Sequence, residues 1–153
     1  MKIRLISVGK VREPYVAAAC DDFAARLRRH ESFEQLEVAA SHGSDPARAM
    51  REEGERVLRA LAPGDLVWLL ERSGTQLTSL ELAERLQALA ASGLSRLVLI
   101  VAGTYGASDE LLARAAFRWS LSRLTFLHEW TRALVLEQLY RAAKIARNEP
   151  YHH

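Results

Sequence analysis

Two hydrophobic periods alternate along this chain. Apolar runs with strand character occupy Lys2–Val8, residues 33–39, residues 66–70 and Arg96–Val101. The run Leu66-Val67-Trp68-Leu69-Leu70 has no polar interruption, as expected of a strand covered on both faces. Between these runs the apolar positions recur every three to four residues. Val16, Ala19, Cys20, Phe23, Ala24 and Leu27 predict one helix, and Ala47, Met50, Gly54, Val57, Leu58 and Leu61 a second with a thinner apolar face. Leu82, Leu86 and Leu89 mark a third. A long last helix is predicted over residues 131–147, with Leu134, Val135, Gln138, Leu139, Ala142 and Ile145 inward and Arg141, Lys144 and Arg147 outward.

The helix starts carry local chemistry. Pro14 suits a first turn, and Asp45-Pro46 is a cap followed by a first-turn proline. Thr78 with Glu81 forms a capping box, Gly93 suits a terminator, and Ser108 precedes two acids that favour a helix N-terminus. Residues 71–77 are expected to be a loop, and Leu124-Thr125-Phe126 a short last strand. Strands and helices alternate throughout, which predicts a single α/β domain over residues 1–153 with a mainly parallel sheet flanked by helices.

Composition changes this picture only in part. A chain of 153 residues with 49% hydrophobic and 26% charged residues can close one core. No apolar run is long enough to cross a bilayer, and the start lacks a secretory pattern, so a cytoplasmic location is expected. Cys20 is the single cysteine and falls on an apolar helical face, where a small core residue is expected. The charge is uneven: residues 1–113 carry −2 and residues 114–153 carry +4. A basic final quarter suits an anionic partner such as RNA or, equally, a solvated helix face.

Ligands of parallel sheets bind beyond the carboxyl ends of the strands. Three segments fall there: the one after Leu70, the one after Val101, and residues 121–128. The middle one holds Gly103 and Gly106 but lacks the spacing of a dinucleotide or P-loop signature. There is no serine elbow and no H-E-x-x-H, and the five histidines lack metal-ligand spacing, so no metal is expected.

Trp119-Ser120-Leu121-Ser122, Leu124-Thr125, His128, Arg132, Glu137, Leu139-Tyr140-Arg141-Ala142 and Pro150-Tyr151-His152 together resemble the RlmH family of SPOUT-class methyltransferases. Lys2-Ile3-Arg4-Leu5, Val8-Gly9-Lys10, Leu70-Glu71 and the length agree, so the resemblance spans the chain. It implies a SPOUT-type fold with a C-terminal trefoil knot, a homodimer, and S-adenosylmethionine as cofactor. The implied reaction is methylation of N3 of a pseudouridine in helix 69 of 23S ribosomal RNA, with no membrane and no metal involved. By the same resemblance Leu70, Ala102, Gly103, Leu121, Ser122, Arg123, Leu124, Thr125 and Phe126 would hold the cofactor. His128, Arg132, Tyr151 and His152 would face the RNA and the transferred methyl group, with Arg132 or His128 supplying positive charge near the uracil oxygens.

Three positions depart from the family pattern. Ala102-Gly103-Thr104-Tyr105-Gly106 stands where Gly-Gly-Pro/Ser-x-Gly is usual, Leu127 where proline often precedes the histidine, and Glu129-Trp130 follows it. The alternatives are a ribosome-associated RNA-binding protein on the same fold without methyl transfer, and a SPOUT enzyme acting on another base.

Overall fold

The computed structural model describes all of residues 1–153. In chain order the elements are β1 (Lys2–Val8), α1 (Pro14–Arg28), β2 (Ser32–Val38), α2 (Pro46–Arg59), β3 (Leu66–Gln76), α3 (Ser79–Ala91), β4 (Arg96–Val101), α4 (Asp109–Arg114), β5 (Phe117–Ser120) and α5 (His128–Ala146). The strands form one sheet in the order β2-β1-β4-β3-β5, and every pairing is parallel. The expected α/β architecture is therefore observed.

Alternation within each strand sorts the core into two layers. Ile3, Leu5, Trp68, Leu97, Leu99 and Val101 face α1, α3 and α5, whose Val16, Leu27, Leu82, Val135, Leu136 and Leu139 close over them. Ile6, Val8, Val67, Leu69, Val98 and Ile100 face the other way, toward Val57 of α2 and Leu111 of α4. Each fully buried Leu or Ile contributes roughly 1.5–3 kcal/mol of transfer free energy.

The periodicity places four of five strands and all the helices, but misplaces two elements. Residues 124–126 are not a strand. The last strand is Phe117–Ser120, whose alternation puts Phe117 and Trp119 on one face beside Trp68, at ring distances of 5.0 and 6.3 Å. The expected loop at residues 71–77 is largely strand. β3 runs on to Gln76, pairing Thr75 with Trp119 after a register shift that begins beyond Leu70. Gly74 sits inside that shift, against the backbone of Arg118.

The final helix begins at His128, three residues before the predicted start. Val135, Leu139 and Ala142 are buried as expected. Leu134 is instead exposed, and Arg132, Ala133, Leu136, Tyr140 and Ala143 are buried. In α2 only Gly54 and Val57 of the predicted face are fully buried, alongside Ala49 and a charged residue, Glu53.

One buried ion pair fastens the sheet's amino edge. Asp65 accepts from Arg96 Nε at 2.7 Å and Nη2 at 2.8 Å, and from the Ala62 backbone N–H at 2.8 Å. The Arg96 hydrogen bonds hold its carboxyl below the ordinary aspartate value. The stabilisation is thus fully present above the usual carboxylate range and is lost as pH falls through the lowered native value. Asp65→Ala is expected to cost about 3 kcal/mol at neutral pH. Its deficit relative to the parent should shrink in acid, as followed by denaturant unfolding at several pH values.

Candidate cofactor cleft

A cleft of about 370 Å³ opens at the carboxyl ends of β3, β4 and β5. Three segments line it: Leu70, Glu71 and Arg72; Thr104, Tyr105 and Gly106; and Trp119 to Phe126, with Thr131 of α5 at one side. Of the residues assigned to the cofactor from sequence, Leu70, Leu121, Ser122, Leu124, Thr125 and Phe126 meet here. Ala102 and Gly103 stand just behind the wall, where β4 ends, and Arg123 is exposed beside it.

Hydrogen bonds hold the three segments together. Arg72 Nη1 donates to Thr125 Oγ1 at 2.7 Å. The Ser120 hydroxyl lies 2.8 Å from the Arg72 carbonyl and 3.0 Å from that of Ser122, while Ser122 Oγ accepts from the Leu124 N–H at 3.1 Å. In the middle segment Gly106 donates to the Gly103 carbonyl at 3.0 Å, closing a tight turn that needs φ +90° at Gly106. No carboxylate pair or metal-ligand group stands here, as no three His, Cys, Asp or Glu residues cluster anywhere.

α2 supports that turn from behind. A Cβ at Gly103 would lie 2.5 Å from Glu53 Oε2. At Gly54 it would run into the Ser108 side chain, whose Oγ caps α4 by accepting from Leu111 N–H. Burial pushes the Glu53 carboxyl up, so the folded chain holds this proton more tightly than the unfolded chain. Stability therefore falls as pH rises through that raised value. Sequence reasoning missed Glu53, because a charged residue on an otherwise charged helix carries no sign that it points inward.

The residues expected to face the RNA are separated. His128 opens α5 and is half-buried, and burial lowers its pKa, so its imidazole is neutral at neutral pH. Arg132 is not presented to solvent. It is 5% exposed, donates to Glu37 Oε2 at 2.5 Å and to the Gly9 carbonyl at 2.8 Å, and leaves its Nε without a partner. Neither group is thus a free cation on the cleft.

Tyr151 and His152 fold back on the far half of α5. Tyr151 donates to Glu137 Oε1 at 3.1 Å, Arg141 covers its ring at 4.7 Å, and Arg141 Nη1 lies 3.3 Å from His152 Nδ1. Thr131 and Arg141 stand ten residues apart on one helix, a rise of roughly 15 Å. The cation that lines the cleft is Arg72, which the sequence reading left in a loop without a role.

The departures around His128 have a local explanation. Glu129 accepts from the N–H groups of Arg12 at 2.9 Å and Glu13 at 3.4 Å. These lie at the start of α1, whose own N-cap residue makes no side-chain cap. Trp130 packs against Tyr15 at 6.0 Å. The Glu129 charge is therefore engaged with backbone donors at a helix N-terminus, where a carboxylate is favourable.

The basic excess of the last quarter is also partly consumed. Arg132, Arg141 and Lys144 each pair with a glutamate. Arg118, Arg123 and Arg147 remain exposed without a carboxylate partner.

Residues 1–152 match the family model described as a predicted SPOUT methyltransferase. The chain is 37% identical over 158 residues to ribosomal RNA large subunit methyltransferase H of Desulfitobacterium hafniense, with 99% of each chain covered. It is 41% identical over 154 residues to the protein of that name in Geotalea daltonii, with all of both chains covered. The chain belongs to the ribosomal RNA large subunit methyltransferase H family of SPOUT methyltransferases. A solved probable methylase family protein from Haemophilus influenzae shares the fold, with a TM-score of 0.55 at 14% identity over 95% of this chain and 66% of that one. The resemblance read from Trp119 to His152 is thus upheld over the full length. Within this SPOUT chain, the usual second loop glycine is kept as Gly103, the position with no room for a side chain. The substituted Ala102 has no positive φ, so alanine is tolerated there.

Proposed function

We propose that this protein uses S-adenosylmethionine to methylate N3 of a pseudouridine in helix 69 of 23S ribosomal RNA. The observation that carries the reading is the full-length similarity to large-subunit methyltransferases together with the cleft at the carboxyl edge, which joins the three segments that the family resemblance implies.

The cleft fits this cofactor in size and chemistry. Leu70, Leu121, Leu124 and Phe126 offer apolar surface for adenine and ribose, and Leu124 is 70% exposed. Backbone N–H and C=O groups of residues 104–106 and 122–125 are available to read polar edges. When bound, S-adenosylmethionine supplies an electrophilic methyl group. The protein's task is then alignment and exclusion of water. Arg72, tied to Thr125, places a guanidinium at the cleft where it favours the N3 anion of the base. His128, half-buried at the start of α5 with its pKa lowered by burial, stands one turn from Thr131 of the cleft wall.

The Tyr151–His152 tail lies too far along α5 to serve the cleft of its own chain. We assign it to the cleft of a second copy in a homodimer. Leu124, Leu127, Trp130 and Leu134, all substantially exposed around the cleft and the first turns of α5, supply apolar surface for that contact.

Mass analysis of 23S ribosomal RNA from a strain lacking this protein tests the reading. Addition of the protein with S-adenosylmethionine to ribosomes of that strain should add one methyl group at N3 of the helix 69 pseudouridine. Absence of micromolar cofactor binding, with no methyl gain on any base, would favour the RNA-binding alternative. A methyl group on another base would correct the substrate alone.

A further inference from the structure

Glu53 is a buried carboxyl that none of the chemistry above uses. It is 5% exposed, on the face of α2 that meets the sheet. Its oxygens touch Gly103, so close that any side chain at that position would collide with them. Gly103 and Gly106 bracket the turn whose Thr104, Tyr105 and Gly106 wall the cleft. One turn of backbone, without a side chain at its first residue, therefore separates the carboxyl from the space assigned to the cofactor. The next residue, Gly54, meets Ser108 at the other end of the same loop. α2 thus seats the loop at both ends, and the group it places nearest the cleft is an acid.

We propose that Glu53 makes the cleft prefer a positively charged cofactor to its neutral product. This rests on reading the cleft as an S-adenosylmethionine site. The sulfonium cofactor carries one positive charge more than S-adenosylhomocysteine. On methyl transfer the methyl C–S bond would break with its electron pair staying on sulfur, N3 would form the new N–C bond with the pair freed by losing its proton, and that proton would leave to solvent or a base. An anion behind Gly103 attracts the charged form and has no net charge to hold in the neutral one. The interaction is only partly screened by bulk water, because the carboxyl is buried.

No cation forms an ion pair with Glu53. The charged groups around it are Arg56, which draws it toward ionisation, and Glu52, which opposes this. Arg56 is itself shared with Glu52 and with the Ala39 carbonyl and Ser41 hydroxyl. The Ser41 backbone N–H also hydrogen-bonds the carboxyl and draws it toward ionisation, and the group across the loop, Gly103, is uncharged. Burial pushes the Glu53 carboxyl up, and a cation entering the cleft pulls it back down, driving off whatever proton it holds.

Calorimetry on the full-length protein decides the matter. With S-adenosylmethionine, wild type should release protons on binding, seen as a dependence of the binding enthalpy on the buffer's ionisation enthalpy. Its affinity should rise as pH is raised through the Glu53 titration. S-adenosylhomocysteine should show neither effect. Glu53→Gln, which keeps shape and removes the charge, should weaken S-adenosylmethionine about tenfold and leave S-adenosylhomocysteine within roughly twofold, on the scale of a partly screened charge pair. If the two ligands weaken together, Glu53 merely shapes the loop and the proposal fails. It fails equally if neither changes, or if wild type shows no proton release. Wild type that binds neither ligand overturns the cofactor reading itself, a result distinct from all of these.

Discussion

Gly74→Ala should unfold this protein more readily than any other single added methyl group. A Cβ at Gly74 would lie 2.7 Å from the carbonyl carbon of Arg118 and 3.0 Å from the carbonyl oxygen of Glu71. Both are backbone atoms, so neither can rotate aside. β5 would have to part from β3 at the point where the two resume pairing after the register shift. The expected loss is about 3 kcal/mol, a fall of roughly 6–12 °C in melting temperature for a chain of this size. The damage should reach the cleft as well, because β5 delivers Trp119 and the segment that follows it. Cofactor affinity should drop at least roughly tenfold, on the scale of a misplaced binding segment. Thermal melting and calorimetry on the one variant measure both effects, and a melting curve like the parent's would show that the strand contact yields.

Arg132→Ala should lower methylation by a hundredfold or more, and the structure changes the reason. From sequence this arginine was a candidate to touch phosphate or uracil. In the fold its guanidinium lies inside, joining α5 to Glu37 of β2 and to the carbonyl of Gly9 after β1. Its removal leaves that carbonyl without its partner and empties the space of a buried stem, costing about 2 kcal/mol. Glu37 is 46% exposed at its side chain and can rehydrate, so its share of the loss is small. Activity should fall because the first turn of α5, with His128 and Thr131, loses its anchor. Arg132 is then a positioning residue. A lysine cannot span both partners, so Arg132→Lys should recover stability better than turnover. A double-mutant cycle with Glu37→Gln should show coupling. Turnover lost with an unchanged melting temperature would instead restore direct contact with the RNA.

Much of the architecture was legible because burial on two faces writes itself into a strand. Residues 66–70 and Arg96–Val101 have no polar interruption, and no helix or one-sided strand needs such a run. The helix starts at Asp45 and Thr78 were legible because caps are local: Asp45 accepts from Ala47 N–H, and Thr78 and Glu81 complete the box. β5 was misplaced for the opposite reason. Phe126 and Leu124 are apolar but line a cleft, and hydrophobicity alone does not distinguish a residue that awaits a ligand from one that packs. The continuation of β3 through Arg72, Ser73 and Gly74 was hidden by composition, since polar and glycine residues signal a loop until a partner strand is known.

The carboxyl-edge rule for parallel sheets pointed to the three segments that meet at the cleft, residues 121–128 among them. The individual cofactor residues within those segments came only from the family resemblance. What neither periodicity nor resemblance reached were the contacts between distant segments: Glu53 under Gly103, Arg72 on Thr125, and Arg132 turned inward to Glu37. Each joins residues far apart in the chain, and Glu53 and Arg132 also invert the expectation that a charged side chain faces water.

The carboxylate of Glu129 gives the short stretch between β1 and α1 an unexpected sensitivity to length. Residues 10–13 look like spare surface, suited to an epitope tag or an inserted residue. Their N–H groups at Arg12 and Glu13 are nonetheless gripped from the first turn of α5, one residue beyond His128. Lengthening that stretch would leave the sheet untouched and yet swing the imidazole, so a graft there would yield a well-folded protein whose chemistry is out of alignment.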